Sequence, residues 1–143
     1  MKYTFWICLA LITLKSCAQE FRADRLEQIV YTVSSRGYFI EVVATPSLLT
    51  IQKGREASEP KSRPMPTKEW KAIAEEVSQI DLKALENMET DTDHSSVDRA
   101  AMAEISILYA QEEYVTPSFD EGTPPKALET LVNKLLVLAG SVE

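Results

Sequence analysis

The hydrophobic rhythm of this chain changes several times, and each change marks an element. Ile29-Val30-Tyr31-Thr32-Val33, inside Leu26 to Ser34, is a β-branched and aromatic run that suits a pleated sheet. Tyr38 to Val43 and Leu48 to Gln52 read the same way. Ser34-Ser35-Arg36-Gly37 separates the first two as a turn, with Gly37 free to take positive φ. Thr45-Pro46-Ser47 separates the next two, because proline has no N–H to give to a ladder. Lys53-Gly54 ends the third run. Three strands so close in sequence predict an antiparallel meander. Arg55 to Pro66 is charged, holds Pro60, Pro64 and Pro66, and lacks an apolar period, so it reads as an exposed loop.

The period then lengthens. Trp70, Ile73, Ala74 and Val77 fall at i, i+3, i+4 and i+7, one face of a helix. Thr67 is the predicted N-cap, Glu69 suits the positive end of the helix dipole, and Lys71, Glu75 and Ser78 face water. Ile80 covers the helix end, and Asp81 caps a short turn that carries Leu82, Leu85 and Met88. After an acidic loop from Glu89 to Asp98, Ala103, Ile105, Ile107 and Tyr109 alternate with Met102, Glu104, Ser106 and Leu108, the mark of a half-buried strand. Glu113 to Phe119 is its hairpin partner, with Pro117 at an edge or strand end. Asp120-Glu121-Gly122 turns the chain. Thr123 then caps a last helix, Pro124 takes its first position, and Leu128, Leu131, Val132, Leu135 and Leu138 form its stripe up to Gly140.

Three strands, a helix, two strands and a helix leave too few helices to connect parallel strands. The order predicts a single α+β domain over residues 26–140. Its expected architecture is one antiparallel sheet of about five strands, a three-strand meander plus a hairpin, with two helices packed on one face.

The first 25 residues follow another logic. Lys2 precedes ten residues, Phe5 to Leu14, that are apolar except for Thr13. A bilayer span needs about 20 apolar residues, whereas a signal-peptide core needs only 7–15. Leu14-Lys15-Ser16-Cys17 puts an aliphatic residue three before a cysteine and a small one just before it, although Lys15 departs from the usual small residue. We therefore expect a signal peptide over 1–16, lipidation of Cys17 by acyl chains such as palmitate, and a polar tether over 17–25. Ordinary cleavage after Ala18, with Ser16 and Ala18 as the small residues, is the alternative and gives a secreted or periplasmic protein. Either route takes the domain out of the cytoplasm with Cys8 lost and Cys17 acylated or removed. Such a domain has no disulfide and is held by core packing alone.

Charge narrows the partners. The full chain carries −7, and loss of Lys2 and Lys15 leaves 13 basic against 22 acidic residues, a balance of −9. Nucleic acid is excluded, since its phosphates call for clustered Lys and Arg. Adhesion to anionic lipid is disfavoured too, which leaves the lipid on Cys17 as the membrane contact.

Catalytic chemistry finds little support. The one histidine, His94, lies in Thr90-Asp91-Thr92-Asp93-His94-Ser95-Ser96-Val97-Asp98. Asp91 and Asp93 match the first ligands of a calcium loop, but Ser96 stands where glycine is needed and Met102 where the closing glutamate belongs. Zinc lacks the convergent Cys and His ligands it requires. No serine sits in a nucleophile elbow, and no glycine-rich phosphate loop or cofactor fingerprint occurs. We expect no enzyme, metal or cofactor. A hydrolase using paired carboxylates is the rival from another class. The favoured reading is a protein- or peptide-binding module that works through loops at one sheet end and the sheet's open face. Arg36, Tyr38 and Asp120 are its candidate contact residues; the same segments also serve as a bulge between strands and as the turn that sets the last helix.

Ser35-Arg36-Gly37-Tyr38, Trp70, Ile80-Asp81-Leu82, Asp98, Phe119-Asp120-Glu121-Gly122-Thr123-Pro124-Pro125 and the leucine helix together resemble a group of small uncharacterised bacterial lipoproteins. The resemblance covers most of the mature chain and implies a cell envelope location, lipid-anchored at the outer membrane or periplasmic face. The layout is also similar, more distantly, to emfourin, a small proteinaceous inhibitor of thermolysin-type metalloproteases. That similarity implies inhibition of an extracytoplasmic metalloprotease as an alternative function. No inhibitory loop matches residue by residue, so no inhibitory residues carry over.

Overall fold

A computed structural model of the chain describes residues 20–54, 59–90 and 101–142. Cys17, His94 and the Asp91–Asp98 loop lie outside the described residues. The fold is α+β: an antiparallel sheet with two main helices. The strands are β1 (Leu26–Ser35), β2 (Tyr38–Ala44), β3 (Leu48–Lys53), β4 (Lys61–Pro64), β5 (Met102–Tyr109), β6 (Glu112–Val115) and β7 (Phe119–Asp120); the helices are α1 (Thr67–Ser78) and α2 (Glu129–Ala139). The sheet order is β4-β3-β2-β1-β5-β6, with β7 also on β5. The meander is therefore as expected, and the far strand β5 docks on β1 to make the centre of the sheet.

Register explains the layering. Val30 lies opposite Val43 and Ser106, and Tyr31 opposite Val42 and Ile105. Strand side chains alternate, so Ile29, Tyr31 and Val33 share one face with Val42, Ala44, Leu49, Ile51, Ala103, Ile105 and Ile107. All of these are at most 4% exposed. Trp70, Ile73, Ala74 and Val77 of α1 and Leu131, Val132 and Leu135 of α2 are buried in the same cluster. Both helices thus cover one face of the sheet, which is what their apolar stripes require. Two ion pairs tie this layer together. Lys134 Nζ lies 2.7 Å from Glu76 Oε1 between the helices, and Arg63 Nη2 lies 2.8 Å from Glu69 Oε2 between β4 and α1. Arg63 Nε also donates to Ser141 Oγ (2.9 Å), which fastens the end of the chain to the sheet edge.

Four details depart from the sequence reading. Seven strands replace about five. One added strand is β4, inside the segment read as a loop. It is an edge strand held by backbone pairing to β3, from Leu48 opposite Pro64 to Ile51 opposite Lys61, and needs no apolar alternation of its own. The other comes from splitting the second half of the hairpin into β6 and β7. Between them the Thr116 hydroxyl accepts the Ile105 N–H (3.0 Å), and Pro117 follows. The helix α2 begins at Glu129, not after Thr123. A residue before proline is driven out of the helical region, and Thr123 and Pro124 both precede prolines. Thr123 closes the turn instead: its N–H and hydroxyl both donate to the Asp120 carbonyl, each at 3.1 Å. At the start of α1, Thr67 is the first helical residue and extended Pro66 occupies the cap position, with no side-chain cap bond. Asp81 does cap its short 3-10 turn, accepting from the Lys83 N–H at 3.1 Å.

The last residues of the expected tether are docked. Phe21 stacks on Tyr109 with ring centroids 5.1 Å apart, and a 3-10 turn at Ala23–Arg25 leads directly into β1. No described helix is long and apolar enough to cross a membrane.

Candidate partner-binding surfaces

The ends of β1 and β5 define two distinct sites. The first surrounds the β1–β2 turn. Arg36 and Gly37 form its tip, Gly37 takes φ +89°, and the Arg36 side chain is exposed. Tyr38 opens β2 opposite Ser35 and is 42% exposed. Burial raises the Tyr38 pKa above 10, and the charge and hydrogen bond of Glu121 raise it further. Beneath it, Tyr31 is 1% exposed. Desolvation pushes its phenol up to about 12, with Glu121 and Tyr38 adding to the effect. The fold thus gathers Arg36, Tyr38 and Glu121 at one sheet end. Asp120 is different: it lies opposite Met102 in β7 and is 3% exposed. Its place is inside the turn, where its carbonyl holds Thr123, so it presents no side chain to a partner.

The second site lies at the opposite end, where β5 finishes. Phe21, Tyr109 and Tyr114 line a cleft of about 390 Å³ with Ile80, Leu82 and Lys83. The Arg22 N–H donates to Tyr109 Oη (2.9 Å), and Tyr114 Oη donates to Glu112 Oε2 (2.7 Å). That bond to a carboxylate is the main reason the Tyr114 pKa is raised. Ser78 and Asp81 complete the lining, and Asp81 Oδ1 accepts from the Lys83 N–H, so the cleft combines aromatic and aliphatic side chains with polar ones.

The third surface is the sheet's other face. Strand alternation and register put Val30, Thr32, Val43, Thr50, Ser106, Leu108 and Val115 together on it, all half-buried, across β3, β2, β1, β5 and the edge strand β6. Glu41, Glu104 and Glu113 belong to the same face, with Glu113 accepting from the Ser106 hydroxyl (2.5 Å). The described strands put no lysine or arginine there. A shallow depression of about 210 Å³ is lined by Gln28, Val30, Ser106, Leu108 and Glu113. The helices pack on the opposite face, and among the described residues no helix covers this one.

Among the described residues, no three His, Cys, Asp or Glu side chains converge as metal ligands would. No family model, curated protein or solved structure matches the chain. Of the sequence candidates, the structure brings Arg36 and Tyr38 to one exposed end and withdraws Asp120. It adds Glu121, which the sequence marked only as a turn residue, and the aromatic cleft. The cleft joins residues 88 positions apart, and only the aromatic character of Phe21, Tyr109 and Tyr114 hinted at it.

Proposed function

We propose that this chain is a non-enzymatic binding module of the bacterial cell envelope, tethered by acyl chains on Cys17, that engages a protein or peptide through the open face of its sheet. The observation that carries the reading is that face. Val30, Val43, Leu108 and Val115 sit half-buried on it among Thr32, Thr50 and Ser106, and among the described residues no helix covers them. The exposed end with Arg36, Tyr38 and Glu121 is a second candidate contact, on the helix side of the sheet by the parity of Tyr38 with Val42; tyrosine and arginine are favoured at interfaces.

The short tether supports a consistent orientation. Phe21 lies four positions after Cys17, so the aromatic cleft would stand at most ~14 Å from the lipid attachment. The ten-residue β1 would then carry the Arg36 turn ~30 Å further along the sheet. The sheet face would be displayed between membrane and turn.

A photo-crosslinking residue at Val43, on the open face, tests the reading against one at Lys71, on the solvent side of α1. In intact cells we expect a discrete adduct from position 43 and none from 71. Equal adducts from both, or none from 43, would remove the proposed surface. Cys17→Ser is expected to move the protein from the membrane to the soluble fraction; retention on the membrane would remove the lipid anchor.

A further inference from the structure

The open face carries a charge pattern that selects among partners. Thr32, in the second half of β1, lies opposite Glu41 on β2 and opposite Glu104 on β5. The two carboxylates therefore flank one position, about 10 Å apart at their Cα atoms, which is two strand spacings. One step along the strands, Val43, Val30 and Ser106 make the next row, and Val115 continues it. Glu113 adds a third acid next to Leu108. Acidic flanks, and no basic group that the described strands place on this face, give the surface a single electrostatic sign.

The ladders also decide what form an occupant takes. Backbone groups of β1, β2 and β5 are spent on strand pairing, so this face offers side chains only. An occupant has to satisfy its own N–H and C=O groups, and a helix does so internally. A helix about 10 Å wide matches the distance from β2 across β1 to β5. We propose that the open face seats an amphipathic cationic helix of a partner protein, aligned with β1. Its apolar stripe lies on Val30, Val43 and Leu108, and its Lys or Arg residues reach Glu41 and Glu104. A second copy of this chain fits poorly, because a face-to-face pair sets these acids against their own copies. An anionic bilayer is repelled for the same reason. The inference rests on the binding role proposed above and names the class of partner.

The test measures anisotropy of a labelled Leu/Lys amphipathic helical peptide of about 18 residues, a length that matches the strands, titrated with the purified full chain. A Leu/Glu peptide of equal length is the control. Saturable binding of the Lys peptide, no binding of the Glu peptide, and weakening by added salt are expected. Glu41→Gln with Glu104→Gln should weaken the Lys peptide ~5- to 10-fold by removing two ion pairs, with an unchanged urea midpoint showing an intact fold. Val43→Asp should abolish binding. Equal affinity for both peptides would overturn the charge selection and leave the general binding role standing. No binding by a chain that sediments as a dimer, dissociated by Val43→Asp, would assign the face to a second copy. Anionic vesicle binding lost with Val43→Asp, with peptide affinity unaffected by the Gln changes, would assign it to lipid. A monomer that binds neither peptide overturns the cationic-helix proposal, while the crosslink from Val43 still reports separately on whether any partner uses the face.

Discussion

Val42 and Val43 are neighbours on β2 and face opposite ways, so replacing each with threonine isolates the layering of the molecule. Val42 is 0% exposed and lies opposite Tyr31 and Ile51, while Val43 is half-buried on the open face. Valine and threonine are both β-branched and nearly equal in volume, so strand preference is conserved at both sites. At position 42 the change forfeits a buried methyl, about 0.8 kcal/mol, and puts a hydroxyl in the core at a cost of about 1–3 kcal/mol. The expected loss for Val42→Thr is therefore about 2–4 kcal/mol. At position 43 the hydroxyl meets water, and the change should stay within about 0.5 kcal/mol. For a domain of this size 1 kcal/mol moves Tm by roughly 3–5 °C, so Val42→Thr should melt ~10 °C lower and Val43→Thr close to the parent. Urea titration should show the same split in midpoints with unchanged slopes. Equal losses at the two positions, or the larger loss at 43, would refute the assignment of faces.

Two further outcomes follow from local strain and burial. Ala110 and Gln111 make the β5–β6 turn at φ 53° and 66°, a region that costs about 1–2 kcal/mol for a side-chain-bearing residue. The turn is held by the Gln111 N–H bond to Glu27 Oε1 (2.8 Å) and the Ala110 N–H bond to the Arg25 carbonyl (2.9 Å). Replacing the pair with Asn-Gly keeps both N–H groups and should raise stability by about 1 kcal/mol; a melting temperature that falls or stays level would contradict the strain. Burial pushes the Tyr31 phenol up to about 12 in the folded protein, from its ordinary value of 10.0. Below pH 10 both folded and unfolded forms keep the proton, so the stability is fully present. Above pH 10 the unfolded form loses its proton first, and stability falls until the folded phenol ionises at about 12, by about 2–3 kcal/mol. Urea midpoints across this window should decline more steeply for the parent than for Tyr31→Phe; identical slopes would contradict the buried neutral phenol.

Much of the architecture was legible because it is local. The stripe Trp70, Ile73, Ala74 and Val77 and the alternation Ala103, Ile105, Ile107 and Tyr109 became buried faces as read. The turns at Gly37 and Gly54 both carry positive φ. What escaped depends on non-local pairing or on competing local chemistry. The edge strand β4 gains its hydrogen bonds from β3 and shows no pattern of its own. The start of α2 was misplaced because the Thr123 hydroxyl donates to the Asp120 carbonyl instead of accepting a helix N–H, and Thr123 and Pro124, each before a proline, are kept out of the helical region. Asp120 read both as a candidate contact and as part of the turn before the last helix; its burial follows from β7 joining β5, a pairing that needs the whole sheet. The open face was readable strand by strand, but the flanking of Thr32 by Glu41 and Glu104 depends on two registers, one of them across roughly seventy residues of chain.

Accessibility of Thr32 is the most direct measure of whether the open face is the working surface. A Thr32→Cys variant is labelled with a membrane-impermeant maleimide, once on purified protein and once in intact cell envelopes, with the parent chain as background. The account predicts rapid labelling of the purified protein and marked protection in the envelope, relieved when Val43→Asp is added. Equal labelling in both settings would mean that nothing occupies the face, and slow labelling of the purified protein would mean that the face is not open at all.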